Sequence, residues 1–389
     1  MKNIQTAISP LLILLCLCGF GVFEYPRGRS RFYPTIFYIL IVWLLYTYII
    51  IEVTTFLRRF NLELFVIIKT SITFAILTIL LSLHYNKRFK CCLNKLNIVN
   101  DTLEKFGTIK NYAKLRRQIT WLIIGWIAVI VLLNMIDSIW FFGKLPHSYA
   151  AMAICIPFLT NQTLHVNSLC DIFLLILLRY IGSQFDQINQ CIAKLTEQDT
   201  QQVKHTWVIS ALPVDCRHII GIKSNRHPPK VIVLILMHVH LELCVITREL
   251  TKIFGWHMVM QALAFNVITA QLIKDAYNAI IYSNSKYEMA IDLFVNYIWI
   301  ITSIIKMIFC NCVCENVCSK AGETELFLNK LTHHNLDIET QDYIIQFLYK
   351  LLQRPLKISG LGLQFGHNFL LQCVNYIGTV IIITIQSPS

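Results

Sequence analysis

Thr379-Val380-Ile381-Ile382-Ile383-Thr384-Ile385-Gln386-Ser387-Pro388 closes an apolar run, Gly366–Gln386, that is long enough to cross ~30 Å of hydrocarbon. Six more such runs precede it: Pro34–Leu57, Leu62–Leu83, Ile119–Phe142, Tyr149–Leu178 (interrupted near Thr160–Asn167), Phe254–Tyr282 and Met289–Phe309. Backbone polar groups in lipid must be satisfied within their own segment, so each run reads as a helix. The dyad alternation of a membrane β-barrel is missing. Composition agrees: 56% of residues are hydrophobic and only 14% charged, against about 25% charged in soluble domains. The sequence therefore predicts an all-α polytopic membrane protein with seven transmembrane helices. A helix placed at the extreme C-terminus cannot be a spacer for a domain behind it, so the last span is itself expected to be a working part.

Two further apolar stretches need a reading. Ile8–Phe23 has only Lys2 before it and a poor small-residue cleavage site at Cys16-Leu17-Cys18-Gly19. It reads as a retained helix at the cytoplasmic face, with a cleaved signal or an extra span as alternatives. Val231–Ile246 carries His238, His240 and Glu242, which are costly in lipid. It reads as the apolar side of a cytoplasmic helix packed on its neighbours.

The 34 Lys and Arg residues fall unevenly between the loops. The segment before span one carries Lys2, Arg27, Arg29 and Arg31, and the loop after span two runs from Lys87 to Arg117. Further clusters follow span four (Arg179 to Lys252) and span six (Lys320 to Lys357). The opposite side holds only Arg58, Arg59, Lys144 and Lys286. The basic excess marks the cytoplasm, which predicts a cytoplasmic N-terminus and, after seven crossings, an extracellular C-terminus. The net charge of +12 then reports topology and lipid headgroups rather than nucleic-acid binding. A G-protein-coupled chemoreceptor, the main alternative, has the reverse orientation. It would also carry an Asp-Arg-Tyr-like triplet after span three, an Asn-Pro-x-x-Tyr in span seven and a cytoplasmic tail. A transporter would show repeated halves with broken midplane helices, and none is evident.

Along the last span, Gln372, Asn375, Thr379 and Gln386 share one helix face. A polar face in lipid must meet another helix or water, and both readings stand on the residues alone. Polar groups also gather in the extracellular halves of the other spans. Span five offers Gln271, Asp275, Asn278 and Tyr282, span six Asp292, Asn296 and Trp299, and span three Asp137 and Trp140. Intramembrane ionisable groups point to function, and an apolar cavity with a few fixed polar groups suits a small molecule. Alternatively, Lys274 or Lys69 merely pairs with Asp137 or Asp292.

Cys91, Cys92, Cys191, Cys216, Cys244, Cys312, Cys314 and Cys318 fall on the cytoplasmic side, where thiols stay reduced. No disulfide is expected. Cys310-x-Cys312-x-Cys314-x3-Cys318 lacks paired zinc spacing. Cys91-Cys92 and Cys312/Cys314 are palmitoylation candidates. Asn161-Gln162-Thr163 fits the glycosylation pattern but lies inside span four. No catalytic motif, metal site or cofactor site is found, so no enzyme is expected.

Span count, orientation and the terminal Thr379…Gln386 pair together resemble the insect chemoreceptor superfamily, specifically the gustatory receptors. That family's last span carries Thr-Tyr, five apolar residues and Gln-Phe. Here Thr379 and Gln386 keep the spacing, while Val380 and Ser387 replace the Tyr and Phe. Arg354-Pro355-Leu356-Lys357-Ile358-Ser359-Gly360-Leu361-Gly362-Leu363 resembles the lead-in to that helix. The resemblance implies a ligand-gated cation channel opened by small tastants. It further implies a homo- or heterotetramer with other gustatory receptors, in the plasma membrane of a sensory neuron and in contact with membrane lipids. Gln372, Asn375, Thr379, Ile382 and Gln386 would line the pore, with Ile382 and Val380 as apolar constriction candidates. Asp137, Trp140, Gln271, Asp275, Asn278, Asn296 and Trp299 would bind ligand. Sugar-type members carry Glu where this chain has Ile381, which favours the divergent, bitter-type group. The implied organisation is an N-terminal segment with an interfacial helix (1–33), six spans with long cytoplasmic loops (34–309), a cytoplasmic anchor (310–365) and the pore helix (366–389). Leu326, Phe327, Leu331, Ile344, Phe347 and Leu351 give the anchor an apolar helical pattern.

Overall fold

In the computed structural model, residues 4–20, 32–60, 65–105, 108, 112–210, 229–282, 285–333 and 336–386 are described. Proline marks three of the helix starts. Pro34 lies near the start of α2 (Phe32–Arg58), Pro146 precedes α5 (Ala150–Thr160) and Pro229 opens α7 (Pro229–Tyr282). The first turn tolerates proline because its N–H has no intrahelical partner there. The proline-free stretches run on as α3 (Phe65–Lys105), α4 (Tyr112–Lys144), α6 (Gln162–Ser210) and α8 (Lys286–Thr332). Only α1 (Ile4–Leu17) and α5 contain an internal proline, Pro10 and Pro157.

Six of these helices are long and apolar enough to cross a membrane. The last helix, α10 (His367–Gln386), has 20 residues, about 30 Å at 1.5 Å per residue. The span-four interruption is narrow: α5 ends at Thr160, Asn161 turns, and α6 begins at Gln162. The stretch 231–246 is helical as expected and forms the first part of the 54-residue α7, continuing into span five without a break. Hydropathy shows where a helix leaves lipid, not where it ends. Likewise α3 spans 41 residues and α8 spans 47, both well beyond the hydrocarbon.

These overhangs gather at one end, the basic end, where α1 and α9 (Ile338–Gln353) join them. The main core lies mostly there, around Leu96, Leu103, Phe185, Ile188, Leu243 and Phe347. α6 is the central helix: 72% of its apolar window is buried, against 11% for α2. α2 instead presents Leu40, Leu44, Leu45 and Tyr48 outward, as a lipid-facing helix must. α1 buries Ile4, Ala7, Ile8, Leu11 and Leu15. Its Ile4 amide donates to Asn97 Oδ1 (3.0 Å), while the Phe20 carbonyl just beyond it accepts from Ser82 Oγ. α1 therefore runs antiparallel to α3 at the basic end, packed on the bundle. Phe23, at the end of that apolar stretch, lies outside the described residues.

α9 starts where Asp337 caps it, accepting from the Thr340 amide (3.2 Å) and hydroxyl (2.6 Å), a standard N-cap arrangement. A two-residue hairpin follows, β1 (Ser359–Gly360) against β2 (Leu363–Gln364). Leu361 and Gly362 both have positive φ, 49° and 85°, which is the signature of the primed turn that hairpins favour. Gly360 lies against Gly255 of α7 so closely that a Cβ there would collide with the Gly255 carbonyl.

Candidate functional site

α10 is amphipathic in an unusual sense. Phe369 and Cys373 are buried and Ile377 is partly buried, all against the bundle. Gln372, Asn375, Thr379 and Gln386 are exposed on the other side, and Ile382 beside them is 55% exposed. At 3.6 residues per turn the polar set lies roughly opposite the packed face. Within the chain, then, these side chains do not join α10 to its neighbours; Thr379 spends its hydroxyl on the Asn375 carbonyl (3.0 Å). The helix is tied to α8 at its start, where the Gly366 amide donates to Asn311 Oδ1 (2.9 Å). Ser387 lies outside the described residues.

Asp137 and Trp299 of the expected ligand set meet. Trp299 Nε1 donates to Asp137 Oδ1 (2.9 Å) and Asn161 Nδ2 to Asp137 Oδ2 (2.6 Å). Asn134 and His165 complete the cluster: His165 Nε2 lies 3.3 Å from Asn134 Oδ1, and its ring stacks with Trp299 at 6.5 Å. At the α5–α6 break the Asn161 amide of this glycosylation-like triplet is spent on Asp137 and on Asn134 Oδ1 (3.1 Å). Trp140 joins a different group. Its Nε1 donates to Asp292 (2.6 Å), whose other oxygen holds Lys144 at 3.0 Å. The ion partner of Asp292 is therefore Lys144, not Lys274 or Lys69. Gln271 donates to Asp275 (2.9 Å) within α7. Asn278 and Asn296 are half-buried on α7 and α8. The Tyr282 side chain lies outside the described residues.

Sequence reasoning missed a third group at mid-bundle. Asp171 (α6) binds His257 Nε2 at 2.7 Å and Lys306 Nζ at 2.6 Å. His257 Nδ1 meets Thr78 Oγ1 of α3 at 3.2 Å. Lys306 also reaches Ser168 and Gln261, each at 3.3 Å. Four helices are thus tied together by ionisable groups that are costly in lipid unless paired. The signal was available, since all three lie inside apolar spans. A cavity of about 650 Å³ lies beside this group, between α1, α3, α6 and α7, and none of the seven expected ligand residues lines it.

The described cysteines are free thiols; Cys216 lies outside the described residues. Of the palmitoylation candidates, Cys92 and Cys314 are buried, which leaves Cys91 and Cys312 accessible. Burial also places His240 in the core, its Nε2 3.2 Å from the Ala321 carbonyl.

The model of the 7tm Chemosensory receptor family matches residues 8–387. Among solved structures, the insect olfactory receptor OR5 from Machilis hrabei is similar, with TM-score 0.57, 12% identity and 98% of each chain covered. The same receptor in complex with eugenol gives TM-score 0.50 at 11% identity over 98% of each chain. No curated protein matches the sequence. At such identity the likeness to OR5 is one of fold.

Proposed function

We propose that this chain, which belongs to the 7tm chemosensory receptor family, is a gustatory receptor: a ligand-gated, non-selective cation channel opened by small taste compounds. One observation carries the channel reading. The polar stripe Gln372–Asn375–Thr379–Gln386 faces away from the chain's own bundle. A membrane helix does not leave such a stripe against lipid; water in a pore shared by several copies satisfies it. Exposed apolar groups on α9 and at the end of α8, including Leu326, Ile338, Ile345 and Leu352, support assembly of those copies, in a tetramer, at the basic end. The basic excess there supports a cytoplasmic N-terminus in the plasma membrane of a sensory neuron. The small-molecule reading is supported by the eugenol complex of OR5 and by the Asp137–Trp299–Asn161–His165 cluster.

Expression in a heterologous cell with current recording against a tastant panel tests this. Gln386→Ala should change conductance or ion selectivity and leave half-activation nearly unchanged, while Asn296→Ala or Asp275→Ala should do the reverse. A surface-expressed Gln386→Ala channel with unaltered conductance, selectivity and gating would overturn the pore assignment. Epitope tags at the two ends, read on intact cells, separate this reading from a G-protein-coupled receptor.

A further inference from the structure

The cavity between α1, α3, α6 and α7 shares no described lining residue with the Asp137–Trp299 cluster and belongs to no site assigned above. Its volume, about 650 Å³, lies within the usual range for small-molecule pockets. Leu12 and Leu15 of α1 and Leu81 of α3 line it, together with Phe89, Phe173 and Phe254. Those three phenyl rings come from α3, α6 and α7 and pack edge to face, their centroids 5.5, 6.0 and 6.1 Å apart.

Most polar groups around this apolar space are already engaged. Thr78 Oγ1 donates to the Phe74 carbonyl (2.8 Å) and meets His257 Nδ1 (3.2 Å), while His257 Nε2 meets Asp171 (2.7 Å). Ser9 donates to the Thr6 carbonyl (3.1 Å), Ser82 to the Phe20 carbonyl, and Gln5 to Asn94 (3.4 Å). Thr6, Cys16 and Lys90 also have interaction partners. A charged ligand would have to draw Lys90 or His257 away from the partner it holds, which leaves a costly unpaired group behind. Two groups are different. Among the described residues, neither Tyr85 Oη nor the Asn86 amide meets a hydrogen-bond partner, and both residues line the cavity. The Tyr85 ring is fixed by His84 (4.7 Å) and by Arg88 over its face (5.7 Å), contacts that leave the hydroxyl unused. From Tyr85 to Thr78 the helix rises about 10 Å, room for an apolar skeleton beyond the polar pair.

We infer that this cavity is a second binding site, for an uncharged apolar molecule with a single hydroxyl: the hydroxyl beside Tyr85 and Asn86, the skeleton against Phe89, Phe173 and Phe254 and reaching toward His257. A membrane sterol and a diffusible terpenoid alcohol share this chemistry. Either satisfies the two open polar groups without disturbing the engaged ones. α1 forms one wall, so the site needs α1 folded onto the bundle.

Photolabelling of the purified full-length chain in detergent tests the proposal, using a diazirine analogue of farnesol followed by peptide mapping. Labels should concentrate on α1 and on the Thr78–Leu93 stretch. Farnesol should displace the probe about tenfold better than farnesyl phosphate or farnesylamine, whose charges find no open partner. It should also displace it about fivefold better than the hydrocarbon farnesene, which makes no hydrogen bond. Tyr85→Phe combined with Asn86→Leu should erase the difference between farnesol and farnesene. Leu81→Trp on α3 and Ser9→Phe on α1 each fill the cavity and should remove most of the labelling in protein that elutes as wild type. Cholesterol displacing the probe at lower concentration than farnesol would assign the site to a membrane sterol, and farnesol displacing it where cholesterol does not would assign it to a diffusible alcohol. Three results would each overturn the inference: labelling spread evenly onto Leu44, Leu45 and Tyr48 of α2, a charged analogue competing as well as farnesol, or farnesene doing so. Because the readout is binding and not current, its failure leaves the channel reading untouched.

Discussion

Removing Asp171 should destabilise the protein chiefly by stranding Lys306. The Asp171 carboxylate is 10% exposed and the His257 side chain 3%, and the acid holds both His257 and Lys306 at hydrogen-bond distance. In Asp171→Leu, Lys306 keeps only Ser168 and Gln261 at 3.3 Å. Breaking a buried pair from one side costs about 3–5 kcal/mol, and a lysine at the centre of a membrane helix costs about 2.5–3.5 kcal/mol on insertion scales. Lys306 is 35% exposed, so the lower overlap of these ranges, about 3 kcal/mol, is the expected loss. Asp171→Leu with Lys306→Met removes both charges, and its cost should fall to about 1 kcal/mol because no ion is left unpaired. With Lys306→Met as the fourth corner of the double-mutant cycle, the coupling should exceed the cost of that single variant by about 2 kcal/mol. Heating followed by fluorescence-detected size exclusion reads it: at about 2 °C per kcal/mol, the single variant drops about 6 °C and the double variant about 2 °C. A double variant that melts at or below the single one would refute the pairing, because two independent losses would then simply add.

Other outcomes follow from separate parts of the molecule. Gly360→Ala should abolish or sharply reduce folded receptor, since its Cβ would meet the Gly255 backbone, whereas Gly322→Ala meets nothing within 4 Å and should raise stability by about 0.5–1 kcal/mol; thermal melts compare the two. The Thr340 hydrogen bonds hold the Asp337 carboxyl below its ordinary range. Its stabilising contribution is therefore present above the unfolded value near 3.9 and lost as pH falls through the lower folded value. Hydrogen exchange at the start of α9 should accelerate in that acid window in wild type, and already at neutral pH in Asp337→Ala. Trp299→Phe removes the donor to Asp137 and should shift tastant half-activation while leaving unitary conductance unchanged in single-channel records.

Much of the fold was legible because the solvent imposes it. A helix in hydrocarbon must be apolar over its span, so six of the seven segments read from hydropathy return as helices long and apolar enough to cross a membrane, while α10 counts among the shorter apolar helices of the described residues. Outside lipid that constraint lapses, and helix boundaries are no longer legible there. His238, His240 and Glu242 take Val231–Ile246 out of lipid, but nothing in them says that the same helix continues into span five; no proline interrupts α7 after its first residue. Pairings were less accessible still. Asp292 has Lys144, Lys274 and Lys69 as plausible partners by depth, and only the rotation of α4 against α8 selects Lys144.

The two sites illustrate opposite limits of pattern reading. The α10 stripe is a one-helix property: spacing alone puts Gln372, Asn375, Thr379 and Gln386 on a common face, and the fold then adds that this face is turned away from the bundle. The Asp171–His257–Lys306 group is a three-helix property. Each member appears in the sequence as an isolated ionisable residue within an apolar run, with no local periodicity linking it to the others. Such residues are nonetheless the most constrained of all, because lipid leaves an unpaired charge no alternative partner. An Asp, a His and a Lys at similar depth in three spans are therefore worth reading together from hydropathy and spacing alone. In this chain they connect the cavity wall at His257 to α8 at Lys306. That same helix anchors α10 about one and a half turns further on, through Asn311 and Gly366. A ligand that moved His257 would thus act on the helix that holds the polar stripe in place.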